Sequence, residues 1–267
     1  MALHTSQQID KFYQKFKETE VSFTKQIISA TGLKTDEVFL KCLGEQWRCI
    51  IYSTSFVSAK IILSLTKESL EKIRKANNLV SLRFSFMLPD RTEPVTFFVS
   101  AKVSGYTPYK KDENELMFLT LSYTQRPPED LIEILGTLLD AALNSQKRAE
   151  DRIPITPESL SKLGIFGKET VLYIENIPRK GILRDLSFSG AKIIVLGVAK
   201  FLQNKQVCLQ LTMDEKLIKL KGMILRVDSV EGRKDLTALG IQYDSNKIPI
   251  EYKVKINDYL NILKGNK

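Results

Sequence analysis

Histidine is almost absent from this chain of 267 residues: the single one, His4, lies at the N-terminal end. A catalytic triad, a histidine general base or a histidine metal cluster is therefore not available in the rest of the chain. Cysteine is also scarce. Cys42, Cys49 and Cys208 lie in strand-like stretches without Cys-x-x-Cys spacing, so we expect small buried side chains in a reducing compartment. A disulfide between Cys42 and Cys49 stays possible if neighbouring strands align them.

Long apolar runs are missing as well. The apolar stretch 49–59 is bounded by Arg48 and Lys60, and it falls far short of the ~20 residues that a membrane-spanning helix needs. The first residues lack the basic and then apolar layout of a signal peptide. We therefore expect a cytoplasmic protein without a membrane span.

The arrangements that catalysis requires are not recognisable either. The sequence has no glycine-rich phosphate loop, no zinc-ligand spacing and no evident pair of carboxylates. Leu183-Arg184-Asp185 is not followed by the asparagine of a kinase catalytic loop. We expect a protein that is not an enzyme and that carries neither a cofactor nor a metal.

Positive charge, in contrast, is in excess. Lys and Arg number 40 against 31 Asp and Glu, which gives a net charge of +9 and a pI near 9.3. This balance favours anionic partners, namely nucleotides, nucleic acid, or an acidic protein or lipid surface. The length suits two domains, and 43% hydrophobic with 27% charged residues is typical of a globular protein.

Hydrophobic periodicity predicts two β-rich modules joined by a helix. We expect a helix over residues 5–30 capped by Ser6, then strands at 38–43, 47–52, 56–65, 79–88, 95–103 and 115–123. Residues 44–46 are read as a hairpin connection. A helix begins at Pro127-Pro-Glu-Asp130 and ends near Asn144-Ser145. Further strands lie between 171 and 243, after a polar insert at 156–170, and a helix covers 248–263. The predicted fold is mainly β with flanking helices: two small antiparallel β-barrels, 1–143 and 144–267, without an internal sequence repeat.

Two polar clusters flank the predicted strand at 171–177: Arg148-Ala-Glu-Asp-Arg152 and Asp185-Leu-Ser-Phe-Ser-Gly190. Residues four apart share one face of a helix, or lie ~13 Å apart on one side of an extended segment. An arginine fork binds phosphate oxygens or guanine O6 and N7, and Asp185 supplies an acceptor for the guanine N–H edge. Ser187 adds a hydroxyl, and Gly190 permits positive φ or a close approach of the chain to a ligand.

In order and spacing, these clusters resemble the PilZ domain, the receptor module for the bacterial second messenger cyclic di-GMP. The resemblance continues at 223–227, 239–243 and Tyr259-Leu260, and it covers about 145–263. It implies a six-stranded antiparallel barrel that binds cyclic di-GMP. The implied ligand-binding residues are Arg148, Arg152, Asp185, Ser187 and Gly190, with Arg184 assisting and Lys147 as a further phosphate contact.

The first half has no motif of its own, but its layout is similar to the N-terminal, PilZN-like domains of PilZ receptors of the YcgR and PlzA types. This similarity implies a role in motility and a protein partner such as a flagellar-motor component. Gly-Gly-Asp-Glu-Phe and Glu-Ala-Leu, which mark enzymes that make or degrade cyclic di-GMP, are absent. Because the two arginines follow the helix that we assign to the first domain or its linker, we expect the ligand to order residues 146–151 and to rearrange the domains.

Two other functions stay open. A basic β-barrel that binds nucleic acid would use a stripe of cations along the later strands, or that stripe is simply a solvated face. A structural adaptor without a ligand is the third possibility. The stripe consists of Lys216, Lys219, Lys221, Arg226 and Arg233.

Overall fold

The protein is described by a computed structural model that covers residues 5–88, 91–110, 113–197 and 200–265. It divides into two compact units, Met1–Leu139 and Asp140–Lys267. Each unit is built around one antiparallel β-barrel, which confirms the predicted fold class.

The first unit contains six strands that close on themselves in the order β3-β2-β5-β6-β7-β4, with β4 returning to β3 and the short β1 lying on β3. Its elements are α1 (Ser6–Phe16), β1 (Val21–Ser22), α2 (Lys25–Thr31), β2 (Phe39–Cys42), β3 (Glu45–Thr54), β4 (Ser58–Ser64), α3 (Lys67–Lys75), β5 (Leu79–Phe86), β6 (Val95–Lys110), β7 (Glu113–Tyr123) and the beginning of α4 (Glu129–Lys147), with a short 3-10 helix at Thr35–Glu37.

The second unit closes in the order β10-β9-β12-β13-β14-β11, with β11 returning to β10 and the short β8 lying on β10. Its elements are β8 (Ile153–Pro154), α5 (Pro157–Leu163), β9 (Glu169–Ile174), β10 (Ile177–Leu186), β11 (Gly190–Leu196), β12 (Gln206–Met213), β13 (Lys216–Val230), β14 (Arg233–Tyr243) and α6 (Ile250–Gly265), with 3-10 helices at Lys200–Leu202 and Ser245–Lys247.

The two barrels share one topology. Each strand of the first barrel has a counterpart seven strand numbers later, and the pairings match throughout. A sequence repeat accompanies the match: residues 55–62 (SFVSAKII) and 187–194 (SFSGAKII) differ only at the third and fourth positions. The expectation that the chain has no internal repeat is therefore wrong.

The predicted helix over residues 5–30 is divided in two. Thr5, and not Ser6, caps α1 through a capping box with Gln8. The chain then forms β1, where Val21 pairs with Thr54, and Thr24 caps the separate helix α2 by accepting a hydrogen bond from the Ile27 N–H. Two N-cap threonines thus fix two helix starts, which a single periodic pattern over the whole stretch conceals.

Two loops also differ from expectation. The β2–β3 hairpin turns through Leu43 and Gly44 alone, both with positive φ (46° and 83°), and Glu45 already pairs with Cys42. The polar insert at 156–170 contains α5, which has a capping box at Thr156 and ends at Gly164 with φ 67°. The helix predicted from Pro127 is confirmed, and it continues to Lys147 as α4.

Candidate functional site

The connection between β10 and β11 is a turn held by its own atoms. The Ser187 hydroxyl accepts a hydrogen bond from the Gly190 N–H (3.0 Å), and the Ser187 N–H donates to the Gly190 carbonyl oxygen (2.8 Å). From α6, the Tyr252 hydroxyl donates to the Ser187 carbonyl oxygen at 2.7 Å. Phe188 and Ser187 are buried, at 1% and 0% exposure. The Ser187 hydroxyl therefore shapes the turn, and its contact with a ligand stays a prediction.

Gly190 is needed because a neighbouring strand lies very close. A β-carbon at this position would lie 2.2 Å from the carbonyl oxygen of Ile241 on β14. Gly190 is not among the described glycines with positive φ, so the left-handed conformation considered for it is wrong. The close approach that the structure shows is to the backbone of β14.

The two arginines flank a turn that follows α4. The Arg148 N–H donates to the Asn144 carbonyl oxygen at 2.8 Å, and the Asp151 N–H donates to the Arg148 carbonyl oxygen at 3.1 Å. Residues 148–152 therefore form neither a helix nor an extended segment. The two geometries predicted from the spacing, one face of a helix or one side of an extended segment, are both wrong. Arg152 directly precedes β8, which pairs with the end of β10.

This pairing brings the two sequence clusters together. Arg152 Nη1 donates to Asp185 Oδ1 at 2.6 Å. Beside this pair, the Ser189 N–H donates to the Ala149 carbonyl oxygen (3.2 Å) and the Ser189 hydroxyl donates to the Glu150 carboxylate (3.0 Å). All of these residues belong to the second unit. The end of α4 that leads to the arginines, from Asp140 onward, also belongs to the second unit, whereas we expected this helix in the first domain or its linker.

Arg148 is more enclosed than Arg152. Its Nε donates to the Asp151 carboxylate at 2.9 Å, and its Nη1 donates to the side-chain oxygen of Asn261 on α6 at 3.0 Å. The Arg148 side chain is 11% exposed, against 38% for Arg152. Lys147, the last residue of α4, is exposed beside it.

The strand register extends the cluster across the outer face of the barrel. Asp185 lies opposite Lys192 on β11, and Lys192 lies opposite Gly240 on β14. Gly240 in turn lies opposite Arg226 on β13. Lys192 and Arg226 are exposed, and neither has an ion-pair partner within the described ranges. Arg184, also exposed, lies at the irregularity where β10 shifts register beside Asp185.

Sequence reasoning missed Lys192 and Gly240 and assigned Arg226 to another surface. A usable signal for Lys192 existed, because alternate residues of a strand face outward and Gly190 begins β11. Arg226 required the pairing of β13 with β14, in which a register shift occurs between Ile224 and Arg226. A shift of this kind changes which side chains face outward.

The side chains of this cluster suit a compact anion that also offers hydrogen-bond donors. Arginine forks bind phosphate oxygens or the O6 and N7 edge of guanine, and Lys192 adds a point charge. Asp185 is the acceptor for base N–H groups. In the structure Arg148 pairs with Asp151, and Arg152 pairs with Asp185. An anion that binds either arginine therefore replaces a carboxylate partner of that arginine.

Two buried tyrosines, Tyr243 and Tyr252, donate hydrogen bonds to the β10–β11 turn. Burial raises the pKa of the hydroxyls of Tyr243 and Tyr252. Their rings meet edge to face with centroids 5.8 Å apart. Both hydroxyls are therefore neutral near pH 7, and Tyr252 is a permanent donor to the turn.

A cavity of about 790 Å³ lies on the adjoining outer face of β9, β12, β13 and β14. Tyr173, Cys208, Lys221 and Gln242 are among its lining residues. Gln242 lies opposite Gly190, so the cavity borders the motif, and a ligand bound at the motif has a concave surface beside it.

Within the part of the chain that the structure describes, no helix is both long and apolar enough to cross a membrane. The same residues contain no group of three or more His, Cys, Asp or Glu side chains suited to a metal ion. The three cysteines are free; Cys42 and Cys49 are buried, and Cys208 is partly exposed.

Known domain families match both units. The PilZN3 domain matches residues 7–142, and the PilZ domain matches residues 146–261. A cyclic di-GMP binding protein of Treponema denticola is 42% identical over 266 residues, which cover 99% of this chain and 85% of the relative. The chain therefore belongs to the PilZ family. Its particular arrangement is a PilZN3 domain followed by a PilZ domain, which confirms the resemblance found in the sequence.

Two solved structures are also similar. The crystal structure of Borreliella burgdorferi PlzA in complex with c-di-GMP is 26% identical, covers 95% of this chain and 98% of that one, and has a TM-score of 0.43. The crystal structure of Escherichia coli YcgR in complex with c-di-GMP is 11% identical, with 99% and 97% coverage and a TM-score of 0.31. Because both scores are below 0.5, the family assignment rests on the domain matches and the Treponema relative.

Proposed function

We propose that the protein is a receptor that binds cyclic di-GMP at the PilZ barrel and releases it unchanged. The observation that carries this proposal is the 2.6 Å contact between Arg152 and Asp185. It unites two clusters that are separated by 33 residues into one site on one unit. The Treponema relative, 42% identical, is a cyclic di-GMP binding protein, and both clusters are complete in this chain.

The roles follow from exposure and chemistry. Arg148 and Arg152 bind the phosphates or the guanine O6 and N7 edge, and Asp185 accepts from the guanine N1 and N2 groups. Lys147 and Arg184 add positive charge at the rim. Ser187 and Gly190 determine the shape of the turn that places Asp185. A receptor of this kind needs no cofactor.

We further propose that ligand binding changes the arrangement of the two domains and thereby regulates motility or another partner, such as a flagellar-motor component. Support comes from α4: residues up to Leu139 belong to the first unit, residues from Asp140 to the second, and Arg148 follows the helix directly. The proposed domain boundary, between residues 143 and 144, also lies within α4. Because residues 148–152 already make hydrogen bonds, the ligand has to exchange these contacts and does not simply order a free segment.

Nucleic-acid binding by the stripe on β13 and β14 is the less favoured alternative. Arg233 makes two hydrogen bonds to Asp235, at 3.0 and 2.8 Å, which removes one cation from the stripe. Arg226 lies in the row that leads to Asp185. A salt series distinguishes the two functions, because binding to a long polymer loses affinity steeply with salt whereas binding of a compact dianion loses less.

Isothermal titration calorimetry with cyclic di-GMP tests the proposal. A bidentate arginine contact contributes about 1–3 kcal/mol, so Arg148→Ala and Arg152→Ala should weaken binding about 5- to 150-fold. Asp185→Ala should weaken the binding of cyclic di-GMP more than the binding of cyclic di-AMP, because cyclic di-AMP lacks the guanine N–H edge. Glu20→Ala is the matched control, because Glu20 precedes β1 of the first barrel as Arg152 precedes β8.

Two negative outcomes have different meanings. Absence of binding by the wild-type chain would refute the receptor function. Wild-type affinity in folded Arg148→Ala and Asp185→Ala variants would refute only the site. Small-angle scattering with and without saturating ligand tests the domain rearrangement, and unchanged dimensions in the bound protein would contradict it.

A further inference from the structure

A buried carboxylate joins α4 to α6 in the second unit. Asp140 is 8% exposed, and its Oδ2 accepts hydrogen bonds from the side-chain amides of Asn144 (2.9 Å), Asn257 (3.1 Å) and Asn261 (3.5 Å). Asn144 also donates to the side-chain oxygen of Asn257 at 2.9 Å. We call this group the Asp140 clamp. It holds the last turns of α4 against α6.

Asn261 connects the clamp to the proposed ligand site. Its amide nitrogen faces Asp140, and its amide oxygen accepts from Arg148 Nη1 at 3.0 Å. Arg148 Nε is bound to Asp151 at 2.9 Å. A continuous polar chain therefore runs from Asp151 through Arg148 and Asn261 to Asp140.

This chain competes with the ligand for Arg148. A guanidinium binds phosphate or guanine bidentately through its Nε/Nη2 edge or its Nη1/Nη2 edge. Each edge contains one nitrogen that already donates within the protein, to Asp151 or to Asn261. The side chain is also only 11% exposed. A ligand that takes the Nε/Nη2 edge therefore displaces Asp151, and one that takes the Nη1/Nη2 edge competes with Asn261 for Nη1.

We infer that Asn261 is a positioning residue that binds the Arg148 side chain in the ligand-free protein and competes with the ligand for it. Cyclic di-GMP then weakens the Asp140 clamp by drawing Arg148 away from Asn261. The inference rests on the proposed function and adds the path by which occupancy reaches α4. Without Arg148, the Asn261 oxygen loses its charged donor, and the amide is no longer held with its nitrogen towards Asp140. The ligand and the closed clamp then disfavour each other, which is the differential interaction that a ligand-driven change requires.

The helix that carries Asp140 makes this change relevant to both units. Asp140 and Asn144 lie on the part of α4 that belongs to the second unit, and the residues just before them, up to Leu139, belong to the first. A looser clamp therefore acts at the point where the chain passes from one unit to the other.

Asn261→Ala tests the inference, because it removes the competitor without changing the charge near a dianionic ligand. We expect this variant to bind cyclic di-GMP about 2- to 10-fold more tightly, the equivalent of one lost hydrogen bond. Hydrogen exchange supplies the second readout. In the wild-type chain, saturating cyclic di-GMP should speed amide exchange at 140–147; in Asn261→Ala, exchange should be fast already and respond little to ligand.

Leu263→Ala is the matched control on the same helix, since Leu263 is 40% exposed and lies outside the clamp. It should leave affinity and the exchange response as in the wild type.

Weaker or unchanged binding by Asn261→Ala overturns the inference, since Asn261 would then help Arg148 to bind the ligand or have no effect on it. If Asn261→Ala does not fold, wild-type exchange alone decides, and ligand-independent exchange at 140–147 refutes the path. A wild-type chain that binds no cyclic di-GMP removes the proposed function and this inference together, whereas binding without the exchange response removes only the inference.

Discussion

The β3–β4 turn of the first barrel and the β10–β11 turn of the second occupy the same place in two barrels of one topology. The Ser55 N–H donates to the Ser58 carbonyl oxygen at 2.8 Å, and the Ser55 hydroxyl accepts from the Ser58 N–H at 3.1 Å. Ser187 and Gly190 make the same two hydrogen bonds, at 2.8 and 3.0 Å. The backbone construction of the turn is therefore common to both barrels.

The residues around the turn differ in charge. Glu20, immediately before β1, accepts a hydrogen bond from the Ser53 hydroxyl and pairs with Lys60 at 3.0 Å. Arg152, immediately before β8, pairs instead with Asp185. A carboxylate in the place of an arginine repels a phosphate, so the first barrel keeps the scaffold of the site without its chemistry. The turn serine, Ser55 in the first barrel and Ser187 in the second, thus serves folding in both barrels. The arginine and aspartate distinguish the barrel that we propose binds ligand.

The largest expected effect tests whether the two turns are equivalent in energy. Phe56 and Phe188, one residue after each turn serine, are both 1% exposed, so Phe56→Ala and Phe188→Ala should each cost about 3–5 kcal/mol of unfolding free energy. Trp47, the single tryptophan, lies in β3, and its fluorescence reports the first barrel. Phe56→Ala should shift the fluorescence transition, and Phe188→Ala should shift only the transition seen by circular dichroism. Equal shifts of both probes in either variant would show that the barrels unfold as one.

Gly190 provides the next test, because Ser58 occupies the matching position. Gly190→Ala places a β-carbon 2.2 Å from the Ile241 carbonyl oxygen, and overpacking of this kind costs on the order of 1–3 kcal/mol. The loss should appear in the circular dichroism transition without any ligand. Ser58→Ala, the control, removes the hydrogen bond between the Ser58 and Ser55 hydroxyls (3.0 Å) but adds no clash, so it should cost about 1 kcal/mol or less. A fully stable Gly190→Ala variant would mean that the glycine serves the ligand alone.

These two barrels also show what the sequence can and cannot predict. The strands and α4 were predictable because their apolar periodicity and the Pro-Pro-Glu-Asp start of the helix act locally. The family resemblance implied that Arg152 and Asp185 belong to one site, but their contact was not predicted, because its cause is the pairing of β8 with β10. A two-residue strand has too short a pattern to detect. Asn261 and Lys192 reach the site through tertiary packing and register, which one sequence does not encode in a local signal.

The second barrel can be separated from the first by cutting within α4, and the place of the cut matters. We expect fragments 140–267 and 145–267 both to fold, because all strands of the second barrel lie within them. The shorter fragment lacks Asp140 and Asn144, which leaves Asn257, only 2% exposed, without these hydrogen-bond partners. Because the same truncation exposes Asn257 to water, the cost is the net loss of these hydrogen bonds, about 0.5–1.5 kcal/mol each, and urea denaturation should show a lower midpoint for 145–267. Equal midpoints would indicate that the Asp140 clamp adds no stability.

The smallest expected effect concerns Glu20, the counterpart of Arg152. The hydrogen bond from the Ser53 hydroxyl, followed by that from Lys60, lowers the pKa of the Glu20 carboxyl below its usual 4.5. A carboxyl whose pKa is lowered by folding stabilises the native state above its unfolded pKa, and this contribution disappears as the pH falls through the folded value. The advantage of the wild type over Glu20→Gln should thus be constant from pH 7 to about 5 and decline as the pH falls below 4.5 towards the lower pKa of the folded state. This advantage should stay under ~1 kcal/mol, because the pair with Lys60 is exposed.

Trp47 fluorescence during urea unfolding at each pH measures this difference in unfolding free energy. In Ser53→Ala, which removes the main cause of the shift, the pH-dependent contribution should be smaller and its loss should be complete at a higher pH. A wild-type advantage that stays constant as the pH falls below 4.5 would show that Glu20 acts in the first barrel through packing and not through its charge.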